Sequence, residues 1–125
     1  MTSFQCKKLT LDTDASEIDF FLNSFDTILC DVDGVLRTGS RAIDGSPEAI
    51  EGLRKLGKDI FYMSNNCLQS RKDYLQSLVS KGYSGKLGDV LTASFACAQY
   101  LKDIGFSKTV YVLGLFTVHL LRSPQ

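Results

Sequence analysis

Two carboxylates one residue apart close an apolar run in Ile28-Leu29-Cys30-Asp31-Val32-Asp33-Gly34-Val35-Leu36. An ionised carboxylate withdrawn from water without a partner is costly, so acids in this place need a task. The i, i+2 spacing points Asp31 and Asp33 to the same side of an extended segment, and Gly34 lets the chain turn away without a Cβ. Acids held that close favour a divalent cation, or leave one of the two protonated. A second polar cluster, Ser64-Asn65-Asn66, follows the next apolar run. A solvated turn would account for either cluster alone; both together, each after a strand, carry the functional signal. A calcium loop fails on spacing, because Leu36 and Ala42 stand where an EF-hand needs its Gly and Glu.

Positioning these groups requires strands, and the chain alternates strand and helix patterns. Asp14 to Asn23 reads as a helix capped by Asp14, with Ile18, Phe21, Leu22 and Phe25 at helical spacing. Thr27 to Cys30 reads as a short strand covered on both faces. Ser46-Pro47-Glu48 predicts a helix start with Ser46 as cap; Leu53 and Leu56 continue its apolar face and Gly57 ends it. Asp59 to Met63 is a second strand. Ser70 caps a third helix whose buried stripe is Tyr74, Leu75, Leu78 and Val79 and which Gly82 stops. After a loop, Thr92 to Ile104 predicts a helix and Thr109 to Leu113 a third strand. The alternation implies an α/β domain with right-handed crossovers, a parallel sheet and helices on both faces. Ligands of such sheets bind beyond the carboxyl ends of the strands, where both polar clusters fall.

Composition narrows the class. With 125 residues, 44% of them hydrophobic, the chain suffices for one domain or part of one. Fourteen Lys plus Arg against fourteen Asp plus Glu give no reason to expect a nucleic-acid or anionic-membrane partner. Cys6, Cys30, Cys67 and Cys97 lack any CxxC spacing and read as buried free thiols of a reducing compartment; zinc is not expected. No segment has the apolar length of a signal peptide or a membrane span, so a cytoplasmic protein is expected. His119, the one histidine, reads as incidental, and Cys30 and Cys67 as packing or loop thiols.

Asp31-Val32-Asp33-Gly34-Val35 resembles the DxDGx motif of the haloacid dehalogenase (HAD) superfamily, and Ser64-Asn65-Asn66 its second motif. With Gly45-Ser46-Pro47 between them, the pattern is similar to the para-nitrophenyl phosphatase group, which includes phosphoglycolate and pyridoxal phosphate phosphatases. The resemblance spans about Phe20 to Gly114. It implies a HAD-like Rossmannoid core and a Mg²⁺-dependent phosphatase acting on small phosphorylated metabolites through an aspartyl-phosphate intermediate. Asp31 would be the nucleophile and Asp33 the general acid and base. Mg²⁺ would lie on Asp31 and on Asp33, the latter through its backbone carbonyl. Ser64 and Asn65 would hold phosphate oxygens, Asn66 would shape the loop or meet the substrate, and the amides from Val32 to Gly34 would complete the cradle.

The family's later Lys and its acidic GDxxxTD-like stretch are not visible. Residues 1–114 are therefore expected to be the amino-terminal part of the core, incomplete and without the cap domain, and residues 115–125 a divergent tail. Arg37 stands near where the group often has Trp. The strand bearing Asp31 is expected to form a sheet edge open to self-association. The competing expectation is an inactive truncated form that binds phosphate ligands or a partner chain.

Overall fold

The computed structural model describes residue 10, residues 12–112 and, as backbone, residues 119–121. Three parallel strands form the central sheet in the order β1-β4-β5: β1 (Thr27–Asp31), β4 (Asp59–Ser64) and β5 (Val90–Thr92). The register runs from Thr27 opposite Asp59 to Asp31 opposite Met63, and from Tyr62 opposite Val90 to Ser64 opposite Thr92. Asp31, Ser64 and Thr92 thus end the three strands at one rim. As expected, β1 is an edge of this sheet among the described residues.

Helix α2 (Ser46–Lys55) returns the chain from β1 to β4 and packs on β4, while α3 (Arg71–Val79) and α4 (Ala93–Asp103) pack on β5. Alternation along the strands shows which face is covered. Val32, Ile60, Tyr62 and Val90 are buried with Leu36, Ile50, Tyr74, Leu78 and Tyr83 in one core. Leu29 and Met63 point the other way and remain 61% and 41% exposed. Helix α4 overhangs that second face. Two polar contacts sit within the core: Arg54 Nη2 meets Asp89 at 2.8 Å, while its Nε has no partner, and the Tyr62 hydroxyl donates to the Ser84 carbonyl at 2.5 Å.

Several expectations are corrected. The third strand of the sheet is β5, not Thr109 to Leu113. A three-residue strand running straight into a helix cap leaves almost no period to read. Within the expected segment, β6 (Val110–Val112) pairs antiparallel with β7 (His119–Leu121), outside the central sheet. Leu113 itself lies outside the described residues. Ser46 does not cap α2. Gly45 does, at φ +80°, where a side chain would be strained. Ser46 Oγ instead donates to the carbonyls of Ile43 (2.6 Å) and Leu36 (3.0 Å).

Capping of α3 is as expected, with Ser70 Oγ accepting from the Asp73 N–H, but Val79 is 53% exposed rather than part of the stripe. Helix α1 (Ala15–Leu22) is capped by Asp14 yet buries no residue. Cys67 and Cys97 are exposed free thiols, not buried ones, and Cys30 is half-buried. Cys6 lies outside the described residues.

Candidate active site

The rim begins with Gly34. Its φ of +89° turns the chain sharply after β1, and its N–H donates to the Arg37 carbonyl at 2.8 Å. Gly34 therefore serves the turn, and its amide is not available to a cradle. The turn leads into a hairpin of β2 (Arg37–Thr38) and β3 (Arg41–Ala42). Tyr83 anchors that hairpin from below, its hydroxyl donating to the Leu36 carbonyl.

Asp31 and Asp33 meet different surroundings. Asp31 is exposed and lines a cleft of about 930 Å³ beside Asp33, Ser64 and Asn65. The inner walls of this cleft are Leu29, Met63 and Leu91 from the open sheet face, and Phe95 and Tyr100 from α4. The Asp33 carboxylate is held by three side chains. Oδ1 accepts from Arg37 Nε at 2.8 Å, and Oδ2 accepts from Ser64 Oγ at 3.2 Å and from the Tyr74 hydroxyl at 3.3 Å. Burial pulls the Asp33 carboxyl upward, but Arg37 outweighs it with a hydrogen bond and a charge, helped by the two hydroxyls. The net result holds Asp33 below the ordinary carboxylate range. Arg37 itself is 8% exposed and lies 5.0 Å over the Tyr74 ring.

The structure thus brings Asp31, Asp33, Ser64 and Asn65 to one cleft. Asn66 faces elsewhere. Its N–H donates to Ser64 Oγ at 3.0 Å and its Oδ1 accepts from the Leu68 N–H at 2.8 Å, so it shapes the loop after β4. Among the described residues no group of three or more His, Cys, Asp or Glu could hold a metal ion. The available donor set is the Asp31 carboxylate with the rim carbonyls, which fits a cation that keeps waters and takes the rest of its shell from a phosphate.

Sequence reasoning missed Arg37 and Tyr74 as partners of Asp33. The spacing of Asp33 and Arg37, four residues apart across a glycine turn, was the readable signal for the first. Nothing local marks Tyr74, which reaches the rim because α3 packs under it.

A parallel α/β sheet places paired acids at one strand end and a Ser-Asn-Asn loop at the next, and comparison with known proteins shows the family in which this arrangement stands. The family model described as haloacid dehalogenase-like hydrolase matches residues 28–119, and the chain belongs to this family. It is 36% identical over 111 residues to a 4-nitrophenylphosphatase of Schizosaccharomyces pombe, covering 86% of this chain and 36% of that protein. It is 37% identical over 98 residues to the chloroplastic phosphoglycolate phosphatase 1A of Arabidopsis thaliana, covering 77% and 27%. Among solved structures, the p-nitrophenyl phosphatase from Archaeoglobus fulgidus matches with a TM-score of 0.64 and 31% identity, over 70% of this chain and 33% of that one. The chain spans about a third of the length of these relatives.

Proposed function

We propose that this chain carries the nucleophile half of a phosphoric monoester hydrolase for small phosphorylated metabolites, working in the cytoplasm. The observation that carries the reading is the rim itself: Asp31 open to the cleft, with Asp33 tied to Ser64 across adjacent strand ends at 3.2 Å. Asp31 is the group free to attack phosphorus, forming an aspartyl phosphate and releasing the alcohol. Asp33, held ionised by Arg37, is suited to deprotonating the water that then hydrolyses the acyl phosphate. Protonating the leaving group first requires that the hold of Arg37 be relaxed. Ser64 and Asn65 orient phosphate oxygens from the next strand end. Mg²⁺, held by the Asp31 carboxylate and the Asp33 carbonyl, would offset the repulsion between carboxylate and phosphate.

A second reading has its own support. Among the described residues no group of three or more His, Cys, Asp or Glu could hold a metal ion, and the chain spans about a third of its relatives. It is a form that binds phosphate ligands, or a partner chain along the β1 edge, without turnover.

Hydrolysis of 4-nitrophenyl phosphate in Mg²⁺, measured beside calorimetric binding of propylphosphonate, separates the two. Turnover that Asp31→Asn abolishes supports the enzyme, whereas binding with rates equal to those of Asp31→Asn supports the second reading. Absence of both would refute the assignment of the rim.

A further inference from the structure

Beside the cleft lies a second hollow, of about 480 Å³, between the β2–β3 turn, the loop after β4 and the end of α3. Its polar lining is Arg37, Ser40, Asn66, Gln69, Ser77 and Lys81, with no acid among the residues that line it. The two hollows adjoin at the Arg37–Asp33 pair. Arg37 lines one and grips Asp33, which lines the other; Asn65 lines the cleft and Asn66, the next residue, lines the hollow. We infer that this hollow is a subsite for a second oxyanion of the substrate, a carboxylate or further phosphate carried a few bonds from the phosphoryl group at Asp31.

Three observations lead there. Lys81 is partly buried yet pairs with no carboxylate among the described residues. Its Nζ donates to the Ser77 carbonyl at 3.0 Å and to Ser77 Oγ at 2.9 Å, which uses two of the three N–H groups of an ammonium. Arg37 carries five N–H donors, and Asp33 and Ser77 Oγ (3.3 Å from Nη1) take up two. Among the described residues, only Asp33 sets a negative charge against these two cations. An anion in the hollow would balance the remaining charge and meet donors already fixed in place by Ser77, by the Tyr74 ring and by the Asn66 turn. A planar carboxylate suits a guanidinium edge particularly well.

The inference rests on the phosphate site proposed above, and a matched ligand pair separates the two. Neither 3-phosphonopropionate nor propylphosphonate can be hydrolysed as an ester, and they differ in a carboxylate against a methyl group. Calorimetric titration of the 125-residue chain in Mg²⁺ should show 3-phosphonopropionate binding about tenfold more tightly, the worth of one charge-assisted hydrogen bond. Lys81→Gln should bring that ratio close to one, and Lys81→Arg should retain most of it. A Lys81 that only caps α3 through the Ser77 carbonyl would lower the melting temperature in Lys81→Gln and leave the ratio intact, which would overturn the subsite. Equal binding of the two ligands by the unaltered chain would also overturn it while leaving the phosphate site standing. Failure of both ligands to bind would remove the phosphate site and the subsite together.

Discussion

On one face of the central sheet Ile60, Tyr62 and Val90 are sealed under α2 and α3; on the other, among the described residues, Leu29 and Met63 stand open with only α4 overhanging them. The same strands supply both faces, since successive side chains point to opposite sides. What differs is what the crossovers bring. Right-handed returns from β1 to β4 and from β4 to β5 put both helices on the same side, so stability concentrates there. The open side, continuous with the cleft at Asp31, is where apolar surface is left for function or for a partner. A similar contrast holds at the rim, where Asp33 is gripped from the helix-covered side by Tyr74 while Asp31 faces the open one.

The largest test of this contrast is truncation of matched side chains. Leu78→Ala under the sheet should cost about 2 to 5 kcal/mol in urea denaturation, whereas Leu29→Ala on the open face should cost less than about 1 kcal/mol. Equal costs would mean that the open face is covered in solution.

Next in size is the Arg54–Asp89 pair on the covered side. Asp89→Asn leaves a largely buried guanidinium without its charge partner, and its Nε already lacks a hydrogen-bond partner. Arg54 keeps some contact with solvent, so a loss of about 3 kcal/mol is expected, the low end for a broken buried pair. A loss below about 1 kcal/mol would show that water reaches this pair.

On the open face, the double change Leu29→Lys and Met63→Lys should leave the denaturation midpoint nearly unchanged. If the β1 edge and the adjoining apolar surface drive association, it should also shift sedimentation toward the monomer. Unaltered sedimentation of an associating chain would place the contact elsewhere.

The smallest effect concerns pH. Asp33 has a depressed carboxyl pKa when folded, so its contribution to stability is fully present above the unfolded carboxylate value, about 3.9. It fades as pH falls through the lower folded value. Arg37→Met removes the main cause of the depression. Carboxyl-detected NMR of the metal-free chain should show the Asp33 titration move upward, and the stability gap between the two proteins should narrow toward acid pH. An unmoved titration would assign the depression to Ser64 and Tyr74.

Local chemistry made much of this protein readable from its residues. Asp14 and Ser70 cap helices because a short side-chain oxygen meets free N–H groups wherever a helix starts. The Asp31-Val32-Asp33-Gly34 turn and the Ser64-Asn65-Asn66 loop follow strands whose apolar runs are long enough to show. Val90–Thr92 escaped because three residues carry no period; it is a strand through its pairing with Tyr62 to Ser64. Ser46 was misread because its hydroxyl had a choice between the helix end and the carbonyls of Leu36 and Ile43, and only the folded hairpin brings the first of those near. The reach of Tyr74 to Asp33, and the hollow that Arg37 shares with Lys81, depend on α3 being docked beneath the rim. Contacts between residues about forty positions apart follow from packing, which no local spacing encodes.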